Sequence, residues 1–505
     1  MIKFNYILLL LLFVFATSSC EDYLTVVPEN NQSTDEFWKT KEDVEAVLGA
    51  GYYRLRNAQE ELMLWGEARG NGVLFTSSST TNSVAGLKLR QFDILASNTL
   101  AKWEKLYKVV NLANSVIKYA PTVKDASFNE NVMKSYLSEA YFQRALAYFY
   151  LVRTWKDVPF VTLPYVDDSA PYAIAKTSGD EILRSCLVDL NNALASAKIK
   201  FPETSYTDPY NTKGRATKWA IYSLIADINL WLGNYDEAIV ACEAVKTSGQ
   251  VGLIAGSLWY TNFYPGNSNE SIFEIQYSYD QSETNSLFSW FYTNKLYMIS
   301  PYMQALYEQE PADKRGINNS YLNNLTSTIT DNLKIWKYCG IQTYDVLKGS
   351  ANNRSSSQTD QNWIVYRLAD IYLMQAEAYA MKGDEESLKT STELVNIVRT
   401  RAGLMALPGT TVKLDMIKSI LYERQREFLC EGKNWFDLVR IGKRADSGFK
   451  EFFIEQVLQV ASASSTPIIR SILQDENAWY LPIHTDELAY NKLLVQNPYY
   501  EALGN

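Results

Sequence analysis

Hydrophobic positions recur at helical spacing along most of this chain. In AKWEKLYKVVNLANSVIKYA (101–120), Leu106, Val109, Val110, Ala113 and Ile117 fall three or four residues apart, so one helix face carries them all. The same period runs through YLSEAYFQRALAYFYLVRTW (136–155), DEILRSCLVDLNNALASA (180–197) and ATKWAIYSLIADINLWLG (216–233). EFWKTKEDVEAVLGAGYYRLR (36–56) predicts an earlier helix, with Thr34 or Asp35 as its cap. RGNGVLFTSSSTTNSVAG (69–86) is dense in Gly, Ser, Thr and Asn and predicts a long loop.

Two helical pairs share one layout. ADINLWLGNYDEAIVACEAV (226–245) resembles a tetratricopeptide repeat, with Leu232-Gly233 at the turn and then Tyr235, Ala238 and Ala241. Small alanines let the paired helices approach closely. LMQAEAYAMKGDEESLKTSTELVNIVR (373–399) resembles the same unit, with Gly383 at its turn. The turns lie 150 residues apart (383 − 233), which predicts an interrupted array. The interruption, 249–360, differs in character. SIFEIQYSY (271–279) alternates like a strand, NSLFSWFYTNKLYMISPYM (285–303) crowds aromatics, and KGSANNRSSSQTDQ (348–361) predicts an exposed loop. The pattern is mainly α: helical pairs form a scaffold, and long irregular insertions with a few short strands form a binding surface.

Composition narrows the chemistry. The 505 residues carry a net charge of -9, and 13% are aromatic, enough for a large core in a globular chain. At about 150 residues per domain, length suggests roughly three domains. No Lys/Arg-rich run is present, which argues against a nucleic-acid partner. His484 is the only histidine, so multi-histidine zinc sites are excluded and any Ser-His-Asp scheme would need that residue. Cys186, Cys242, Cys339 and Cys430 are widely spaced and predict small buried hydrophobes. A Cys186–Cys242 bridge is the less favoured alternative.

The start, MIKFNYILLLLLFVFATSSC, has a basic Lys3, an apolar run from Ile7 to Phe15 and small residues after it. That is a secretory signal layout, too short to span a bilayer. Cys20 follows Ser18-Ser19, and the stretch resembles a bacterial lipoprotein signal, with Thr17 where Leu is usual. Acyl chains on Cys20 would anchor the chain stably. Glu21 and Asp22 resemble a surface-export signal of Bacteroidetes lipoproteins. The expected divisions are a signal peptide (1–19), a lipidated tether (20–33), an N-terminal helical-repeat region (34–248) and a C-terminal region (249–505).

A family resemblance covers nearly the whole length. CEDYLTVVP, DEFWKTKEDVEAVLGAGYYRL, WEKLYKVVNLANSVI, YLSEAYFQRALAYFYLVRTWKDVPFV, ESIFEIQYS, YRLADIYLMQAEAYAMKG, LYERQREFLCEGKNWFDLVRIG and YLPIHTDELAYNKLLVQNPYY occur in the order seen in the SusD/RagB lipoproteins. Lys156 stands where Gly usually precedes the Asp-Val-Pro turn, and His484 where Pro is common. The resemblance implies a helical superhelix behind a variable glycan-binding face and no enzymatic activity. It also implies oligosaccharide capture at the outer-membrane surface, with a SusC-like TonB-dependent barrel as partner. No cofactor is implied; a structural calcium ion stays open.

Glycan binding needs flat apolar faces for sugar rings and polar groups for hydroxyls. Trp290, Phe291, Tyr292 and Tyr297 supply the first, and Arg69, Asn71, Phe75 and Asn82 supply a mixture. For each ring the alternative is core packing. The ligand reading also leaves peptide or glycoprotein open. ILYERQREFLCEGKNWFDLVR (420–440) is the other candidate, with Glu423, Glu427 and Glu431 four residues apart. Ile417, Ile420, Leu421 and Phe428 share one helix face with Arg424 inside it. Glu427 and Glu431 lie within reach of Arg424, or of Arg399 and Arg401 on a neighbouring helix. A packing network is favoured over a glycosidase pair at Glu423 and Glu427, because both carboxylates project from one wall.

Overall fold

The computed structural model describes residues 37–75, 81–166, 171–202, 204, 208–293, 296–322, 334–343, 353–354 and 359–504. Among the described residues the first full helix, α1, spans Lys41–Asn57, and Phe37 ahead of it is also helical. Thr40 caps α1 by accepting from the Asp43 backbone N–H, while the Asp43 carboxylate accepts from the Thr40 N–H at 2.7 Å. Thr34 and Asp35 lie outside the described residues, as do the signal and tether. Helix α2 (Gln59–Glu67) has no amphipathic signature, because Leu62, Met63, Leu64, Trp65 and Gly66 are all buried. The expected loop 69–86 instead holds strand β1 (Val73–Phe75) and the start of a helix, Thr81–Arg90.

Apart from the last, the remaining principal helices fall where the periodicity places them; the 420–440 block breaks after Phe428, with Cys430 and Gly432 at positive φ. These helices are α3 (Glu104–Tyr119), α4 (Glu130–Trp155), α5 (Gly179–Ala193), α6 (Lys218–Leu232), α7 (Tyr235–Lys246), α8 (Leu368–Lys382), α9 (Glu385–Arg401), α10 (Lys413–Phe428) and α11 (Asn434–Gly442). Neighbours in space run α1, α3, α4, α5, α6, α7, and then α8 and α9. The array is therefore interrupted in sequence only: α7 packs directly on α8. Lys246 Nζ reaches Gln375 Oε1 at 2.7 Å, Gln375 Nε2 reaches Glu243 at 2.9 Å, and Lys382 reaches Asp236 at 2.7 Å. Both repeat turns close through left-handed glycines, Gly233 at φ +86° and Gly383 at φ +78°.

Three two-stranded antiparallel sheets occur among the described residues. β2 (Val158–Pro159) pairs with β3 (Lys176–Thr177) beside the C-terminus of α4. β4 (Ser271–Ile275) pairs with β6 (Trp363–Arg367), and every residue of both is buried. The expected half-exposed alternation is absent there because both faces of the ribbon are covered. β1 pairs with β5 (Tyr297–Ile299). One cluster of buried apolar side chains extends from Leu55 to Tyr500 and takes in residues on both sides of position 249. Cys186, Cys242, Cys339 and Cys430 are buried free thiols.

Lys156 ends α4 at φ +71°, ψ -71°, and the Asp157 N–H donates to Trp155 O at 2.9 Å across it. A side chain in this region is strained. Lys156→Gly is expected to raise unfolding free energy by up to about 1 kcal/mol, with no gain for Lys156→Ala. Paired urea midpoints check it; equal gains in both variants would show that strain is not the cause.

Candidate functional site

The two segments expected to bind ligand are brought together. Strand pairing sets Val73 opposite Ile299 and Phe75 opposite Tyr297, and the Ser300 N–H donates to Gly72 O at 3.0 Å. Phe75 meets the Tyr297 ring edge-on at 4.7 Å, and Trp290 meets it at 5.2 Å. Trp290 and Tyr297 are buried, so they form the base of this surface and not its contact layer. Phe75 and Tyr292 are half-buried, and the Lys334 ammonium sits 4.4 Å over the Tyr292 ring. Asn82 lies on the helix Thr81–Arg90, and its side chain is outside the described part of the chain.

Arg69 and Asn71 are core residues, contrary to the composition-based reading. Arg69 is 1% exposed, donates to Trp479 O at 2.7 Å and lies 4.3 Å over the Trp435 ring. Burial pushes its guanidinium down to about 10. Asn71 is fully buried, donates to Gln456 O at 3.1 Å and accepts from Gln425 Nε2 at 3.0 Å. A Gly/Asn-rich run looks the same in sequence whether its polar groups meet solvent or other backbone.

The charged block on α10 is internal. Glu423 and Glu427 are fully buried, so no substrate reaches them. Arg315 Nη1 donates to Glu423 at 2.6 Å and to Glu427 at 2.7 Å. Arg401 pairs with Glu427 at 2.5 Å, as expected from its neighbouring helix, whereas Arg399 pairs with Glu423 at 3.1 Å and Glu431 is held by Arg367 and Lys337. Arg424 instead bonds Asp370 and Asp437, each at 2.8 Å. Lys337, Arg315 and Arg367, which the periodicity of α10 could not reveal, enter from the insertion and its closing strand. His484 caps the short helix Thr485–Tyr490 by accepting from the Asp486 N–H at 3.1 Å.

Glu67 carries a separate titration. Its Oε1 accepts from the Gly432 N–H at 2.9 Å and the Lys433 N–H at 3.3 Å. Burial outweighs those bonds and raises its carboxyl from 4.5 to about 8. The folded chain therefore binds more protons than the unfolded chain between those values, so this contribution is full below 4.5 and is lost as pH rises through 8. Glu67→Gln is expected to flatten the fall in stability between pH 5 and 8, by roughly 1–3 kcal/mol. Parallel pH profiles for variant and wild type in urea titrations would show that Glu67 does not set the slope.

A groove that the sequence did not reveal lies beside β4. Tyr53, at 49% exposure, and Tyr210, at 38%, present their rings to a basin of about 410 Å³ floored by Leu48, Leu55, Phe273 and Ile275. A neighbouring basin of about 700 Å³ shares Tyr53, Arg56 and Glu283 with it. One local signal existed: Tyr52 packs inward from α1, which leaves the adjacent Tyr53 on its polar face. No group of His, Cys, Asp and Glu among the described residues is arranged to hold a metal. No described helix is long and apolar enough to cross a membrane.

A family model described as the SusD family matches residues 229–500, more than half of the chain. A second, described as starch-binding associating with outer membrane, matches 22–230. A SusD-like protein of Formosa agariphila is 26% identical over 481 residues, spanning 87% of this chain and 91% of its own. A SusD-like protein of Bacteroides ovatus is 26% identical over 458 residues, spanning 84% and 80%. A SusD superfamily structure from Bacteroides vulgatus has a TM-score of 0.73 at 22% identity, covering 92% of this chain and 100% of its own. A laminarin-binding SusD-like protein has a TM-score of 0.70 at 20% identity, covering 91% and 100%. The array of helical pairs described above is thus the architecture these proteins share, and the chain belongs to the SusD family.

Proposed function

We propose that this protein is a cell-surface lipoprotein, anchored through Cys20, that binds oligosaccharides and passes them to a SusC-like TonB-dependent outer-membrane transporter. The observation that carries the reading is family membership over nearly the whole chain, including a starch-binding, outer-membrane-associating model. The laminarin-binding relative of the same fold supports a glycan as ligand. Phe75, on the β1–β5 pair, and Tyr292, both half-buried, supply the ring faces. Binding is a matter of positioning here, since a preformed aromatic surface loses little entropy on contact with a sugar.

Calorimetry against a panel of soluble polysaccharides tests the ligand class. Tyr292→Ala is expected to weaken binding roughly three- to tenfold, the equivalent of about 0.5–1.5 kcal/mol for one ring. Absence of binding to every glycan tested would sink the ligand reading. Cys20→Ala is expected to move the protein from the membrane to the soluble fraction, and co-purification with a large barrel protein tests the partner.

A further inference from the structure

The groove beside β4 is lined by neither Phe75 nor Tyr292 and has the chemistry of a sugar site. Tyr53 comes from α1 and Tyr210 from the short helix Pro209–Gly214, so two exposed rings flank one basin from different elements. Between the basins, Arg56 Nη1 and Glu283 Oε1 form a 2.6 Å pair, and the guanidinium lies 5.3 Å from the Tyr53 ring centre. The Tyr53 ring and this pair are thus held together before any ligand arrives. Basins of this size fall in the range of small-molecule sites.

Two polar atoms on the second basin's lining have no hydrogen-bond partner among the described residues. One is the Gln59 Nε2 donor, on a side chain 2% exposed, and the other is the Glu283 Oε2 acceptor. Buried polar groups are normally paired, so these two atoms, which have no solvent contact of their own, are left to be satisfied by a small polar group reaching the basin wall. A donor and an acceptor together suit hydroxyl groups, which both give and accept hydrogen bonds. The charge balance narrows the class further. Glu45, Glu60 and Glu283 line the groove against only Arg56 and Arg215, and Arg215 is shared between Glu139 at 2.7 Å and Glu45 at 3.4 Å. A uronate or sulfated sugar would meet net negative charge.

We infer that the groove from Tyr210 past the Arg56–Glu283 pair to Gln59 is a second carbohydrate-binding tract, and that it takes an uncharged polysaccharide. The inference rests on the glycan-binding reading above. It is tested by affinity electrophoresis of the full chain in gels containing laminarin, galactomannan, xylan, polygalacturonate or alginate. The Tyr53→Ala/Tyr210→Ala double variant is expected to lose at least about fivefold in affinity for the neutral polysaccharide that wild type retains. Tyr53→Phe/Tyr210→Phe keeps both rings and should stay within about twofold of wild type, which separates ring loss from misfolding. Equal binding by the alanine variant and wild type would overturn the groove and leave the glycan reading standing. Wild-type binding confined to polygalacturonate or alginate would overturn the assignment of an uncharged chain. Binding to none of the five would overturn both readings.

Discussion

Glu427→Gln is expected to lower the free energy of unfolding by roughly 3–5 kcal/mol. The Glu427 carboxylate accepts from Arg315 at 2.7 Å, from Arg401 at 2.5 Å, from Arg367, and from Trp259 Nε1 at 3.1 Å. All of these donors are buried. An amide keeps one acceptor oxygen but turns an NH2 toward guanidinium groups, and it removes the charge that offsets their desolvation. Burial alone would raise the Glu427 carboxyl; Arg401, Arg367 and Arg315 overcome it and hold the group well below the ordinary carboxylate range. Glu431 is lowered likewise against burial, by Arg367 and Lys337.

The sign of the pH effect follows. A depressed carboxylate contributes stability that is present above about 4.5 and is lost as pH falls through its folded value. Wild type should therefore lose stability steeply in acid, and Glu427→Gln should show a shallower slope from a lower plateau. Urea midpoints at pH 7 and pH 4 test both statements. A loss below about 1 kcal/mol at neutral pH would mean that the network relaxes around the amide and does not fix the packing.

Gly66→Ala is expected to cost more than about 4 kcal/mol or to prevent folding, well beyond an ordinary substitution. A Cβ at Gly66 would lie 1.9 Å from Gly432 O and 2.3 Å from its carbonyl carbon. That neighbour is backbone, with φ +72°, and its N–H is held by Glu67 Oε1 at 2.9 Å. Helix α2 cannot retreat, because Leu62, Met63, Leu64 and Trp65 are buried around it. The usual helical gain of Ala over Gly, about 1 kcal/mol, is small against such an overlap. Gly49 in α1 gives the internal contrast, since a Cβ there would have nothing within 4 Å. Gly49→Ala should gain about 0.5–1 kcal/mol. Near-wild-type urea midpoints for Gly66→Ala would show that the α2 contact with Gly432 is loose.

The family's motifs are legible because they encode local geometry. Gly233 and Gly383 mark turns that need a left-handed residue, and the flanking apolar periods mark the faces that pack. Lys156 was legible as a departure from Gly, and its positive φ gives that departure a physical meaning. Arg399 and Arg401 could be paired with α10 from the order of adjacent helices. Helix α2 was missed for the opposite reason: a helix covered on all sides leaves no polar stripe to set its phase.

The sequence by itself determined the helical pairs, their turns, the family and an internal role for the α10 charges. Each of these depends on residues a few positions apart, or on motifs in fixed order. Tertiary structure alone decided which aromatics reach the surface, which buried Arg69, Asn71, Trp290 and Tyr297 and left Phe75 and Tyr292 half-open. It also joined α7 to α8 across the insertion, brought Arg315, Lys337 and Arg367 onto α10, and set Tyr53 beside Tyr210 and Glu283. Those outcomes depend on contacts between residues tens to hundreds of positions apart. Hydrophobic burial is non-directional, so periodicity says that a face will be covered and leaves open which distant segment covers it.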